Sequence, residues 1–225
     1  MSRTLLPGPV WRMIHLVRQL AFGPQNTRDT LRFFFRSNLR KAEDLFKVTI
    51  HPRTRLTLGR GFSVEGSGRL HVGHDAGHFP RGTASSLRVA DGAVLRLHGK
   101  QLWLSGHQIN IDRNAVLEMA GGYLNHDAKI DCKIRISIGD GTIIAEDVTI
   151  MDTDSHTLEG SAPPAGIVIG RNVWIGARCT ILKGASIGDG CVIGAGSVVN
   201  HPLPAGALCA GVPARVLREN VRWTA

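Results

Sequence analysis

Aromatic residues are scarce in this chain of 225 residues, at 5% of the total with a single tyrosine among them. Large side chains normally fill a thick globular core, so their scarcity argues against a core of that kind. Glycine is abundant instead, with 27 residues. This composition favours thin stacked layers around a long and narrow core.

Cysteine and long apolar runs are also in short supply. The four cysteines show no CxxC pair and no zinc-like spacing, which predicts a reducing, cytoplasmic environment and no metal site. The most apolar stretch near the start, residues 10–22, is interrupted by Arg12, His15 and Arg18. It therefore matches neither a secretory signal nor a membrane span.

Acidic residues are in deficit, and the deficit lies entirely in one segment. Residues 1–60 hold 12 Lys and Arg against 3 Asp and Glu, whereas the rest of the chain is balanced. Such a segment can bind anionic lipid headgroups, an acidic glycan or nucleic acid, or it can be a solvated helical face. Apolar residues recur at intervals of three and four over residues 10–21 and 28–46, which predicts two amphipathic helices.

A six-residue period dominates the second half of the chain. An aliphatic residue stands at every sixth position: Ile169, Ile175, Ile181, Ile187, Ile193 and Val199. A small or β-branched residue follows four positions after each of the first five: Val173, Cys179, Ala185, Cys191 and Ser197. Hexad periods are typical of a parallel β-helix, and residues two apart on a strand face the same side. We therefore expect the small residue and the next aliphatic residue to point inward together.

The corners of such a coil need residues that tolerate positive φ. We expect the glycine after each aliphatic residue, together with Asn172 and Gly190, to supply that conformation. A weaker form of the rhythm begins at Val64, and strand-like patterning begins near Val48.

We accordingly divide the chain into three parts. Residues 1–60 form a basic helical segment, residues 61–205 a parallel β-helix of roughly seven coils, and residues 206–225 a tail with one helical turn near 214–220. The N-terminal helices can cap the open end of the β-helix, whose strand edges would otherwise be unpaired. They can also lie on a membrane surface, and the two roles are compatible.

One polar excursion, residues 152–166, breaks the rhythm just before the strict repeat. It contains Asp152, Asp154 and His156, together with Pro163-Pro164. Long loops in compact repeats are more often functional than structural. A histidine with carboxylates beside it has the groups that a general base requires, although a solvated surface histidine would look the same.

From about Gly121 to Glu219 the chain resembles the hexapeptide-repeat acyltransferases. The resemblance is to the branch of maltose/galactoside, nodulation-sugar and streptogramin acetyltransferases, with its capsule and lipopolysaccharide O-acetyltransferases. The matching segments are Gly139-Asp140-Gly141, the loop that ends in His156, residues 169–176, residues 193–199 and residues 210–215. The resemblance implies a left-handed helix, a homotrimer, and acetyl-CoA bound in the groove between neighbouring helices. It also implies a sugar or glycan hydroxyl as acceptor, and no nucleic acid.

Carried over by position, the resemblance assigns roles to individual residues. His156 becomes the general base, with Asp152 and Asp154 beside it, and Asn125 either orients the acceptor or is a simple corner residue. The implied CoA-binding residues are Trp174, Gly176, Ala177, Lys183, Ala195, Gly196, Ser197, Asn200, Arg215 and Arg218. Many relatives carry Thr-Lys where this chain has Asn200-His201, so we expect a weaker phosphate contact there. We expect direct transfer, because the inward Cys179 and Cys191 are buried and unreactive.

Two alternatives fit the sequence poorly, and two others stay open. A metalloenzyme of the γ-carbonic anhydrase type needs three histidines on neighbouring coils, two of them closely spaced in sequence, but the next histidine after His156 is His201. The group His71, His74 and His78 would bind metal only adventitiously. A serine acetyltransferase needs a large helical domain that 60 residues cannot hold. A non-catalytic scaffold and an acetyltransferase acting on an antibiotic remain compatible with the sequence.

Overall fold

The computed structural model describes residues 48–51, 53–73, 83–156, 159 and 163–224. The helices predicted over residues 10–21 and 28–46 lie outside these ranges, as do His74 and His78. The described regular structure is entirely β. The strands are β1 (Val48–Ile50), β2 (Thr54–Leu58), β3 (Ser63–Glu65), β4 (Arg69–Val72), β5 (Ser85–Val89), β6 (Val94–Leu97), β7 (Lys100–Trp103), β8 (Gln108–Ile111), β9 (Val116–Met119), β10 (Gly122–Leu124), β11 (Lys129–Cys132), β12 (Arg135–Ile138), β13 (Thr142–Ile144), β14 (Thr149–Met151), β15 (Ile167–Ile169), β16 (Trp174–Ile175), β17 (Thr180–Leu182), β18 (Ser186–Ile187), β19 (Val192–Ile193), β20 (Val198–Val199), β21 (Leu208–Gly211) and β22 (Ala214–Arg218).

The chain passes from sheet to sheet in strict rotation. Sheet A contains β1, β4, β7, β10, β13, β16, β19, β21 and β22; sheet B contains β2, β5, β8, β11, β14, β17 and β20; sheet C contains β3, β6, β9, β12, β15 and β18. Three strands complete one coil, and a bridge between Ile187 and Leu203 closes the seventh. The architecture is the predicted left-handed parallel β-helix.

Both ends of the helix differ from the expected boundaries. The first coil begins at Val48, so β1 and β2 fall within the segment that we assigned to residues 1–60. The helical turn expected at 214–220 is wrong, because Ala214–Arg218 forms β22 and pairs antiparallel with β21. An open sheet edge offers unpaired backbone groups, and this hairpin satisfies some of them where local sequence alone suggested a helix.

The inward alternation predicted from the hexads is confirmed. Cys179, Ile181, Ala185 and Ile187 are each at most 1% exposed. Equivalent residues of successive coils stack in register, as Ile150 does on Ile181. Each buried aliphatic side chain stabilises the folded state by about 1.5–3 kcal/mol relative to an exposed one. The narrow core gains this stabilisation by stacking further coils rather than by becoming thicker.

The corners of the hexads impose two different requirements, positive φ at one position and the absence of a side chain at another. Positive φ occurs three positions after the aliphatic residue, at Asn172 (52°) and Gly190 (70°), as predicted for those two. Gly188, directly after Ile187, was expected to have positive φ and does not. A Cβ at Gly188 would instead lie 2.4 Å from the backbone nitrogen of Ala205 in the next coil. Glycine is required there because the coils approach too closely for a side chain.

Two histidines are buried in the interior beside the edge where sheets A and B meet. His107 is fully buried and His126 is 3% exposed. The Nδ1 atom of His107 accepts a hydrogen bond from the backbone nitrogen of Ala128 at 3.1 Å, so its Nε2 atom carries the proton in the neutral form. Burial, with a further contribution from His126, lowers the pKa of His107 to about 4.

This lowered pKa predicts a loss of stability in acid. In the unfolded chain His107 takes up a proton below its ordinary pKa of about 6.5, whereas the folded protein resists protonation until about pH 4. The contribution of His107 is therefore intact above pH 6.5 and falls by about 3 kcal/mol as the pH is lowered toward 4. We expect His107→Asn, which keeps an acceptor for Ala128, to show a flatter dependence in urea unfolding at pH 7, 5.5 and 4. Parallel curves for the two proteins would contradict this assignment.

Candidate active site

The polar excursion leaves the helix at the edge where sheet B meets sheet C. Residues 152–166 separate β14 from β15, whereas only residues 133–134 separate β11 from β12 in the coil below. His156 lies in this excursion and its side chain is exposed. The edge therefore presents a histidine outside the packed coil.

Asp152 fixes the base of the excursion. Its side chain is fully buried, and its carboxylate accepts hydrogen bonds from the backbone nitrogens of Lys133, Ile134 and Arg135, each at 2.8 Å. Both oxygens are thus engaged by the corner of the coil below. This carboxylate is committed to holding the loop and is not open to a ligand.

Two lysines hold the excursion from the coils on either side. The Nζ atom of Lys133, in the coil below, donates to the Oγ atom of Ser155 at 2.9 Å. The Nζ atom of Lys183, in the coil above, lies 2.6 Å from the Oδ2 atom of Asp154. Lys183, predicted as a phosphate ligand, is therefore paired with a residue predicted to be catalytic. Ser155, whose φ is 62°, directly precedes His156.

Asn125 lies at a different edge, where sheet A meets sheet B. It directly follows β10, and its Oδ1 atom accepts a hydrogen bond from the backbone nitrogen of His126 at 2.8 Å. Below it, the buried Nδ1 atom of His126 lies 3.0 Å from the Oγ atom of Ser105. The amide oxygen of Asn125 is thus used in the turn, and its NH₂ group is the part that can donate to a ligand.

Asn125 and His156 are on opposite edges of sheet B. The four residues of β11 lead from one edge to the other, and a strand of that length spans about 13 Å. Within one chain the two side chains therefore bracket the sheet and cannot meet on one substrate hydroxyl. The residues predicted to bind CoA divide in the same way. Gly176, Ala177, Ala195, Gly196 and Ser197 are on the edge of Asn125; Lys183 and Asn200 are on the edge of His156.

On the first edge Ala195 and Gly196 expose their backbone, Ala177 is half-buried and Gly176 is buried. The nitrogen of Gly196 donates to the oxygen of Ala177 at 2.8 Å, which stacks the two corners. A Cβ at Gly196 would meet nothing within 4 Å. Ser197 differs from its neighbours, because it is 1% exposed and its Oγ atom donates to Gly194 at 2.6 Å and accepts from Gly211 at 3.1 Å. Its hydroxyl is used inside the protein, as its place in the inward row predicts, so only its backbone is left for a contact with CoA.

Asn200 and Arg215, two of the predicted CoA-binding residues, are connected through His201. The Nδ1 atom of His201 lies 3.0 Å from the Oδ1 atom of Asn200, and its Nε2 atom lies 3.4 Å from the Nη1 atom of Arg215. Arg218 is also exposed, on β22. His201 was not among the predicted ligands, although its position beside Asn200 was a usable signal.

Trp174 stands on the outer face of sheet A and is 44% exposed. Its ring centroid lies 6.0 Å from that of Trp223, a residue that sequence reasoning missed. This contact could not be predicted from spacing, because the 48 residues between Trp174 and Trp223 include segments that do not follow the six-residue period.

The buried cysteines are poor nucleophiles. Burial raises the pKa of Cys191 to about 12 and also raises the pKa of Cys179. Among the described residues, no three His, Cys, Asp or Glu side chains are grouped so that they could bind a metal ion. No helix within the described ranges has the length and hydropathy needed to cross a membrane.

Comparison with known proteins links the repeat to transferases. Residues 166–201 match the family described as bacterial transferase hexapeptide (six repeats). The chain is 40% identical over 119 residues to the galactoside O-acetyltransferase of Escherichia coli (strain K12), covering 51% of this chain and 55% of that protein. It is 37% identical over 112 residues to a protein of the same strain named as a lipopolysaccharide biosynthesis O-acetyl transferase, covering 42% and 54%. The chain thus spans about half the length of these curated relatives.

A solved structure extends the likeness over more of the chain. The polySia-specific acetyltransferase NeuO superposes with a TM-score of 0.54 at 20% sequence identity, covering 80% of this chain and 89% of that one. At this level of identity the match shows a shared fold.

The hydrogen bonds of Asp152 predict a structural cost on substitution. In Asp152→Asn an NH₂ group would face a backbone N–H, leaving a buried donor unsatisfied, which costs about 1–3 kcal/mol. The control, Asp154→Asn, alters a half-exposed ion pair and should change the unfolding free energy by less than about 1 kcal/mol. Chemical denaturation of the two variants measures the difference. Equal stability of both would mean that Asp152 does not anchor the excursion.

Proposed function

We propose that this hexapeptide-repeat chain is an O-acetyltransferase that moves an acetyl group from acetyl-CoA to a hydroxyl of a sugar or surface-glycan precursor. The observation that carries the proposal is His156, exposed on an excursion that Asp152, Lys133 and Lys183 fasten to the coils around it. The two O-acetyltransferases that the chain resembles, one of galactosides and one of lipopolysaccharide biosynthesis, support the reaction and the acceptor class.

In the proposed reaction His156 acts as the general base. Its imidazole takes the proton of the acceptor hydroxyl while that oxygen attacks the thioester carbonyl of acetyl-CoA. The carbon–sulfur bond then breaks, and the imidazolium returns the proton to the departing CoA sulfur. A positioned base of this kind contributes about 10²–10⁴-fold to the rate. Asp152 and Asp154 act by position, since the first holds the base of the loop and the second pairs with Lys183.

The proposed site needs two copies of the chain. Because Asn125 and His156 lie on opposite edges of sheet B, an acceptor can contact both only where one edge of a protomer meets the other edge of its neighbour. Repeating this contact around a threefold axis, with sheet B facing the axis, closes a homotrimer with three equal sites. The NH₂ group of Asn125 would then orient the acceptor hydroxyl opposite His156 of the adjacent protomer.

The cofactor would lie along the small-residue edge toward the C-terminal coils. The backbone at Ala177, Ala195 and Gly196, beside the buried Gly176, can approach the amides of the pantetheine arm without obstruction by large side chains. Arg215 and Arg218 supply charge for the phosphates. Asn200 and His201 stand beside Arg215 and help to hold its guanidinium. Lys183 is better assigned to the loop, through Asp154. Nothing in this scheme uses a metal ion.

The basic segment 1–60 suggests where the enzyme works. Its surplus of nine positive charges would favour the cytoplasmic face of a membrane that carries anionic lipids, where a lipid-linked glycan precursor is presented. We therefore propose a cytoplasmic enzyme with peripheral membrane contact through this segment. In the same proposal, residues 206–225 form a tail that completes the cofactor end.

Replacing the base tests the mechanism. We expect His156→Ala to lower kcat by about 10²–10⁴-fold with little change in CoA binding. The assay incubates the protein with labelled acetyl-CoA and a panel of glycans and locates the label by mass spectrometry. His98→Ala, which removes an exposed histidine paired with Glu118 on sheet C, is the control and should retain full activity. Full transfer by His156→Ala would exclude the proposed base.

Mixing two inactive variants tests the shared site. His156→Ala and Asn125→Ala should each be impaired in isolation, because every site then lacks one residue. After random equimolar mixing, about one interface in three of each mixed trimer, and about a quarter of all interfaces, join a native Asn125 to a native His156, so about a quarter of wild-type activity should return. Native mass spectrometry confirms that the chains have mixed. Mixed trimers that recover no activity would show that each site is built within one chain.

A further inference from the structure

The last described residues fold back along the edge where sheet C meets sheet A. The backbone nitrogen of Val221 donates to the oxygen of Gly206 at 2.8 Å, and the Nε1 atom of Trp223 donates to the oxygen of Asn172 at 2.8 Å. Gly206 and Asn172 occupy equivalent corners two coils apart, linked through Gly190. The segment after β22 therefore runs down two coils and is attached at both ends of that path.

This path places Trp223 against Trp174. The two ring centroids are 6.0 Å apart with an interplanar angle of 47°, within the range of favourable aromatic pairs. Above and below Trp174 on the outer face of sheet A stand Val192 and Ile143, both smaller than an indole. Trp223 is thus the one large side chain among these neighbours, and its own ring is fixed by the hydrogen bond to Asn172.

The position of Trp174 connects this pair to the small-residue edge. Trp174 precedes Gly176 by two residues on the same run of chain, a distance of about 7 Å. The accessible backbone of Ala177, Ala195 and Gly196, next to the buried Gly176, therefore has the indole of Trp174 as its boundary on the side of sheet A. Trp174 packs on Trp223 and is still 44% exposed, so part of its ring stays open to a ligand.

We infer that Trp223 is a positioning residue for CoA, holding the indole of Trp174 so that its open face borders the pantetheine arm. The inference rests on the proposed function and adds to it a residue from the C-terminal tail. Without Trp223 the indole on an open sheet face can adopt other rotamers, and the boundary of the groove is no longer preformed.

Removing the tail indole should weaken CoA binding selectively. We expect Trp223→Ala to raise the Kd for CoA and the KM for acetyl-CoA by about tenfold, while kcat and the acceptor KM stay within about twofold. Trp223→Phe keeps a ring against Trp174 and loses only the hydrogen bond to Asn172, so most of the affinity should be rescued. Leu217→Ser, a 65% exposed position on β22, is the matched control and should bind CoA as the wild type does.

A double-variant cycle shows whether Trp223 acts through Trp174. Calorimetric titration with CoA should give Trp174→Ala and Trp174→Ala/Trp223→Ala nearly equal affinities, because the second change then has nothing left to position. Additive losses, or a wild-type Kd for Trp223→Ala, would overturn the inference while leaving the acetyltransferase proposal intact. Parallel losses in kcat, both KM values and Tm would also overturn it, since they indicate a structural role. Failure of the wild-type protein to bind CoA would defeat both proposals.

Discussion

The backbone hydrogen bonds between one coil and the next are the constraint on which the rest of this structure depends. They place each residue directly over its counterpart about one coil earlier, as Ile130 lies under Ile150 and Ile150 under Ile181. A slip of one residue would turn a whole aliphatic row toward solvent, so the register is held firmly. The same spacing brings the corners together so closely that Gly188 leaves no room for a Cβ.

This register also explains how a loop can hold the proposed catalytic histidine in place. An insertion of fifteen residues has no coil of its own to stack on, so its position must come from side chains at its base. Asp152 begins the insertion directly above the corner at residues 133–135, where three consecutive backbone N–H groups are available. Lys133 and Lys183 reach the loop from below and above because the register puts both at the same edge. Contacts that the helix supplies therefore hold residues 152–155, which lead to His156.

The sequence predicts well whatever depends on local periodicity. The inward rows, the coil number and the excursion carrying His156 all follow from residues six apart, whereas Asn125 and Trp174 are site residues that the resemblance alone implies. The remaining features depend on which residue of a neighbouring coil lies next to a given position. The contacts of Ser197 with Gly211 and of Lys183 with Asp154 join positions separated by interrupted coils of unequal length, so spacing alone could not predict them. The strand β22 likewise forms because the edge of sheet A is open beside it.

In the proposed site, which is divided between two edges, the face between them has to meet a neighbouring copy of the chain. On the outer face of sheet B, Arg88 donates to Asn110 and Asn110 donates to Asp131, both at 2.6 Å, beside a shallow cleft of about 410 Å³. The same row continues toward the C-terminal coils with the apolar Met151 and Leu182. The charges of Arg88 and Asp131 are already compensated along this row of hydrogen-bonded side chains. A neighbouring copy of the chain can therefore approach without burying an unpaired ion. The apolar residues stand level with and just beyond the excursion, where contact between copies would bring the edges of Asn125 and His156 together. The outer face of sheet B is therefore also suited to bring the two halves of the proposed site together.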